Sequence, residues 1–123
     1  MSILLVEDNA VNRKLAHFML TKAGYRVDFS TNGQEAVEKY TSAPGSFDLI
    51  LMDVQMPGMN GREATREIRE KGFHDVPIIA MTAESMPDDR EKCFKAGMND
   101  YISKPIRGDV VFTIIKKWIL KNN

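Results

Sequence analysis

The chain has 123 residues, 43% of them hydrophobic, which suits one domain with a core of its own and leaves no room for a second. Lys+Arg and Asp+Glu each total 17, so the formal charge is zero, which argues against a nucleic-acid-binding module needing a basic excess. The single cysteine, Cys93, excludes an internal disulfide, and neither a signal peptide nor a run near the ~20 apolar residues of a membrane span is present, so a soluble cytoplasmic protein is expected.

Short apolar runs alternate with stretches of helical period. Ile3-Leu4-Leu5-Val6 is brief, continuous and bounded by charge, the pattern of a strand buried on both faces. Val11, Leu15, Phe18 and Met19 then recur at helical spacing, predicting an apolar helix stripe with Asn9 as N-cap and Gly24 as the stop. Tyr25 to Ser30 is a more polar, alternating strand, as at a sheet edge. Gln34 to Tyr40 is helical, and Pro44-Gly45-Ser46 breaks it. Leu49 to Met52 is a second core strand, followed by a loop rich in turn residues, Pro57-Gly58 and Asn60-Gly61, and a charged helix from Arg62 to Glu70. Val76 to Met81 predicts another buried strand, Asp88 to Lys95 a helix ending at Gly97, and Tyr101 to Ser103 a short core strand. Val111, Ile114, Ile115, Trp118 and Ile119 give the last helix its apolar stripe. Lys116, Lys117 and Lys121 read as a solvated helix face, and the eight methionines as core filling.

Five strands alternating with five helices imply an α/β doubly wound parallel sheet, because parallel neighbours need right-handed crossover connections. The expected strand order is 2-1-3-4-5, with the edge-like second strand outermost. Ligands bind such sheets beyond the carboxyl ends of the strands, at the switch point between strands 1 and 3. The residues directly following the core strands are Glu7 and Asp8, then Asp53, then Thr82, then Lys104-Pro105. Three carboxylates, a hydroxyl and an ammonium thus converge on one edge. Neighbouring carboxylates repel unless a cation intervenes, and a hard divalent ion such as Mg2+ takes oxygen ligands of this kind. Lys104 adds a compact positive charge suited to a phosphoryl oxygen, and the set is arranged to receive a phosphoryl group on a carboxylate.

The stretches Leu4 to Asn9, Asp48 to Gly61, Ala80 to Ala83, and Ala96-Gly97 through Tyr101-Ile102-Ser103-Lys104-Pro105 together resemble the response-regulator receiver domain family over essentially the whole chain, 1–123. The resemblance implies a flavodoxin-like (βα)5 three-layer sandwich. It implies Asp53 as phosphoacceptor, with Mg2+ bound by Asp8, Asp53, the backbone carbonyl of Gln55 and, mainly through water, Glu7. Lys104 and Thr82 would hold phosphoryl oxygens, Thr82 and Tyr101 would act as the switch, and a cis peptide is expected before Pro105. The implied partners are a sensor histidine kinase or histidine phosphotransfer domain. A phosphorylation-dependent dimer or effector contact is expected on the fourth helix, fifth strand and fifth helix. The segment Glu7 to Asn12 is most similar to receivers attached to hybrid sensor kinases. Gly108 departs from the usual pattern, predicting a last helix that begins late or frays.

Singly, each of these residues has an ordinary reading. Asp8 could cap a helix, Asp53 could cap a loop, Thr82 could simply end a strand, Lys104 could lie on the surface, and Tyr101 could be a half-buried sheet aromatic. Only their joint placement favours function. His17 and His74 read as isolated surface residues, and Cys93 as packing. A haloacid-dehalogenase-type phosphatase would carry a second acid two positions after the nucleophile, where this chain has Gln55. A nucleotide or flavin carrier would need a phosphate-cradling loop after the first strand, where Glu7-Asp8 would repel phosphate. The competing expectation is an interaction module working without phosphorylation. The favoured one is a phosphoacceptor switch rather than a turnover enzyme.

Overall fold

The computed structural model describes residues 1–83 and 87–121, with only the backbone of Lys121, so Met86 and the Lys121 side chain lie outside it. Five strands, β1 (Ser2–Val6), β2 (Arg26–Ser30), β3 (Leu49–Asp53), β4 (Ile78–Thr82) and β5 (Asp100–Ser103), form one parallel sheet in the order β2-β1-β3-β4-β5. The helices are α1 (Ala10–Lys22), α2 (Gly33–Ser42), α3 (Gly61–Glu70), α4 (Pro87–Ala96) and α5 (Gly108–Lys121). This is the doubly wound arrangement expected from the alternation of short and long apolar patterns.

Two cores sandwich the sheet. Ile3, Leu5, Leu49, Leu51, Ile79 and Met81 pack on one face against Ala16 and Leu20 of α1 and Val111 and Ile115 of α5. Leu4, Val6, Ile50, Met52, Ile78 and Ala80 pack on the other against residues of α2, α3 and α4, including Ala36, Ile68 and Cys93. The central strands β1, β3 and β4 are apolar on both faces because each face has its own helix layer. Each fully buried aliphatic side chain contributes roughly 1.5–3 kcal/mol of transfer free energy.

The structure corrects two expectations. The predicted α1 stripe does not face the sheet: Val11, Leu15 and Phe18 are 75%, 51% and 62% exposed, while Ala16 and Leu20 point inward. Helical period identifies a stripe without saying what it faces, and α1 carries a second one, four residues apart, on its inner side. The last helix begins at Gly108 itself. The entropic penalty of glycine weighs on helix interiors, so at the first position it does not delay the start. Boundaries also move slightly. Asp53 and Thr82 are the last residues of their strands, and β4 starts after Pro77, which has no N–H to give the ladder.

Candidate functional site

Strand alternation decides which way the polar residues point. Glu7 continues the row Ile3-Leu5 and Asp53 ends the row Leu49-Leu51, on adjacent strands, so the parity of both rows aims the two carboxyls to the α1–α5 side. Both are buried, at 2% and 1% exposure. Lys104, just past β5, extends its ammonium between them, 2.8 Å from Glu7 Oε1 and 3.0 Å from Asp53 Oδ1. Asp8 is exposed, yet its carboxylate, with those of Glu7 and Asp53, offers oxygens all within 4.8 Å of one another. Asp53 Oδ1 also accepts the Gln55 N–H at 3.1 Å, and Oδ2 is buried with no hydrogen-bond partner among the described residues.

The loops around this cluster are built by specific local features. Asn9 caps α1 by accepting from Asn12 N at 3.0 Å, turning the chain immediately after Asp8. Asn60 and Glu63 form a capping box that starts α3. Gly61, the first residue of α3, lies so close to the end of β3 that a Cβ there would collide with the Asp53 carbonyl oxygen and Met52. The Lys104–Pro105 peptide is cis. A cleft of about 290 Å³ opens beside the cluster, walled by Leu15, Met81, Ala83 and Ile106, with Glu7 and Lys104 at its floor.

Thr82 is 2% exposed at the end of β4, with Ser103 as its register partner. Tyr101 pairs with Ala80, so Thr82 and Tyr101 share one sheet face as diagonal neighbours. The Tyr101 ring is half-buried beneath the Arg90 guanidinium of α4, 4.3 Å from its centroid. Of the residues singled out in the sequence, Glu7, Asp53 and Lys104 thus touch, Asp8 and the Gln55 backbone border them, and Tyr101 stands apart. His74 is exposed and His17 half-buried, neither near the cluster's carboxylates, and Cys93 is packed in the core.

The electrostatics are unbalanced. Burial pushes the Asp53 carboxyl up to about 7, the neighbouring Glu7 carboxylate pushes the same way, and Lys104 opposes both. Burial would raise Glu7 as well, but its bonds with Asp53 and Lys104, the lysine charge and the Asn9 N–H outweigh that and hold it below its ordinary value. Burial disfavours the Lys104 ammonium, and its two carboxyl partners more than offset this, so its pKa is raised. One ammonium cannot neutralise two buried carboxylates plus Asp8. A hard cation among three clustered oxygen donors, one of them orphaned, fits that deficit.

Residues 3–116 match the family model of the response regulator receiver domain. The chain is 46% identical to hybrid signal transduction histidine kinase B of Dictyostelium discoideum over 94% of its own length and 6% of that protein. It is 41% identical to a two-component response regulator of Oryza sativa subsp. japonica, covering 96% of this chain and 94% of that one. The chain therefore spans a small fraction of the hybrid kinases it matches and nearly all of the rice regulator. Among solved structures it is similar to the receiver domain of a Pseudomonas aeruginosa sensor histidine kinase with a magnesium ion coordinated in its active-site cleft. That match has TM-score 0.87 and 44% identity and covers 96% of each chain. It is also similar to a Saccharomyces cerevisiae response-regulator receiver domain co-crystallised with a histidine phosphotransfer signalling protein (TM-score 0.90, 31% identity, 98% of this chain and 89% of that one).

Proposed function

The chain belongs to the response regulator receiver family of two-component phosphorelay signalling, and from that premise we propose that residues 1–123 act as one receiver domain whose Asp53 accepts a phosphoryl group in a Mg2+-dependent reaction. The observation that carries this reading is the buried Asp53 carboxyl, with one oxygen orphaned and the other shared by Lys104 and the Gln55 N–H. A nucleophile needs a free lone pair, and Oδ2 has one.

The donor is a phosphohistidine of a sensor kinase or histidine phosphotransfer domain. An Asp53 oxygen forms the new O–P bond as the N–P bond breaks, and the imidazole, protonated on its other ring nitrogen, keeps the electron pair and departs neutral. Bound Mg2+ supplies positive charge that offsets the carboxylates and the phosphoryl oxygens. Asp8, Asp53 and the Gln55 carbonyl would hold it, with the Glu7 carboxylate beside them. Lys104 leaves its pair with Asp53 to hold one phosphoryl oxygen, and the Thr82 hydroxyl holds another. Hydrolysis of the acyl phosphate returns the carboxylate, so the domain is a switch acting on itself.

Leu15 of α1 walls the cleft, and with Val11 and Phe18, exposed on the same helix, it forms the surface on which the donor docks. A histidine phosphotransfer protein as donor is supported by the yeast receiver domain, which was crystallised with one. Movement of Thr82 toward the phosphoryl group draws Tyr101 along the shared sheet face and reshapes the surface of α4, β5 and α5 that an effector or second copy reads. No helix among the described residues is long and apolar enough to cross a membrane, and the cytoplasm is the proposed location.

The test is intact mass after incubation with acetyl phosphate, with and without Mg2+. One phosphoryl group should appear with Mg2+ and be absent in Asp53→Asn. Equal labelling of that variant would overturn the assignment, and no labelling of the wild type would favour the phosphorylation-independent interaction module.

A further inference from the structure

We propose that Arg13 is a positioning residue for the metal corner formed by Glu7 and Asp8, clamped between their backbone carbonyls and the ring of Phe29. This inference rests on the Mg2+ reading above.

Three carboxylates within 4.8 Å of one another repel, and Asp8, the exposed one, is free to swing away. What keeps the corner in place is therefore its backbone. Glu7 N is anchored to Ser30 O at 3.1 Å, and Asn9 N reaches back to Glu7 Oε2 at 3.3 Å. The Glu7 and Asp8 carbonyls, beyond the last residue of β1, are instead met by Arg13. Its Nη1 donates to Glu7 O at 3.1 Å and lies 3.5 Å from Asp8 O. The Arg13 backbone N–H donates to Asn9 O at 2.9 Å, so its side chain folds back over the turn it helped to form.

A long side chain performs this task only if its own freedom is removed. Arg13 stacks on Phe29, with the guanidinium carbon 5.0 Å from the ring centroid. Phe29 is fixed in turn. It sits on edge strand β2, its carbonyl accepts from Lys39 Nζ at 2.7 Å, and the same ammonium lies 5.9 Å from its ring. A chain of contacts thus runs from α2 through β2 and α1 to the two acids.

The sign of the effect separates geometry from charge. Arg13 places a cation beside a site meant for another cation, so through charge alone it opposes Mg2+ binding. A residue that nonetheless favours binding must do so by holding the ligands. Partners behind metal ligands are worth roughly 10–100-fold in affinity, and with its exposed position we expect Arg13 near the lower figure.

The experiment measures the Mg2+ dissociation constant by isothermal titration calorimetry for wild type, Arg13→Gln, Arg13→Lys and Phe29→Leu, with metal-free melting temperatures alongside. Positioning predicts weaker binding in all three variants, about tenfold for Arg13→Gln, and a smaller loss for Phe29→Leu, which leaves Arg13 its bonds to the Glu7 and Asp8 carbonyls. Arg13→Lys keeps a donor for the carbonyls but not the guanidinium over the ring, and falls between. A merely structural role would lower the metal-free melting temperature and leave the dissociation constant of the folded protein unmoved. Tighter binding in Arg13→Gln with no change in Arg13→Lys would make Arg13 only a charge and overturn the proposal, as would three variants indistinguishable from wild type. A wild type that binds no Mg2+ removes the metal reading itself, and this inference with it.

Discussion

Two polar clusters sit at opposite ends of the same sheet, joined by α3, and they are built on opposite principles. At the amino edge the Arg69 guanidinium donates from Nε to Gly97 O at 3.0 Å, from Nη1 to Phe73 O at 3.0 Å and from Nη2 to Asn99 Oδ1 at 2.8 Å. Asn99 Oδ1 also accepts Ile78 N at 2.8 Å, tying the start of β4 to the turn before β5. Every guanidinium nitrogen is used, and every partner is a neutral oxygen. At the carboxyl edge Asp53 and Glu7 share the Lys104 ammonium, Asp8 adds a third carboxylate beside them, and an Asp53 oxygen is left over. A satisfied network locks the chain. An unsatisfied one waits for a ligand, and only the second kind can respond to a phosphoryl group.

Removing Arg69 should therefore cost more stability than any change at the carboxyl edge. Arg69→Ala leaves the Gly97 and Phe73 carbonyls without this donor and takes one of two donors from Asn99 Oδ1 in a half-buried site, and should lower unfolding free energy by about 3 kcal/mol, read from urea denaturation. Acetyl-phosphate labelling of the surviving fold should be unchanged. A loss below about 1 kcal/mol would break the comparison.

Gly61→Ala brings the disturbance to the other end of α3. The new methyl meets the Asp53 carbonyl, so the first turn of α3 or the end of β3 must shift. We expect a loss of about 2 kcal/mol together with slower labelling. Wild-type labelling in a destabilised protein would mean that the end of β3 does not set the site's geometry.

Asn60→Ala removes half of the capping box at the same terminus without steric intrusion. It should cost about 1 kcal/mol and barely alter labelling. Thermal melts of the two variants together separate helix capping from the close approach at Gly61.

Much of this contrast was legible in the chain, and the exceptions have a physical cause. Strands β1, β3 and β4 read directly from continuous apolar runs, because burial on both faces leaves no other composition open to them. The polar residues at their ends followed, since a parallel sheet brings the carboxyl ends of its strands to one edge. Helix faces were harder. Val11, Leu15 and Phe18 have the period of a core stripe and are exposed. Their neighbours Ala16 and Leu20, also four apart, are the buried pair, and nothing in the order of residues ranks the two. Arg69 with Asn99, and Arg13 with Phe29, were missed for a related reason. They join charged or aromatic residues from elements distant in sequence, and a charged helix residue looks the same whether it faces water or reaches a carbonyl. The Asn60-x-x-Glu63 spacing of the capping box was a local signal that could have been read.

The most direct test of the account is the pH dependence of stability in chelator and in Mg2+. With its pKa raised to about 7, Asp53 binds a proton more tightly folded than unfolded. The contribution of Asp53 to stability in chelator should therefore be greatest below the ordinary carboxylate range and fall as pH rises toward about 7, by up to about 1.4 kcal/mol per pH unit. Glu7, held below its ordinary value, adds stability that is lost only at lower pH, and Lys104 loses its contribution only in strongly alkaline solution. Mg2+ competes with the proton, so its stabilisation should grow across the same window and cancel the decline, and Asp53→Asn should abolish the decline without metal. Superimposable profiles with and without Mg2+ in the wild type would contradict the claim that the carboxyl edge is an unmet site for a cation.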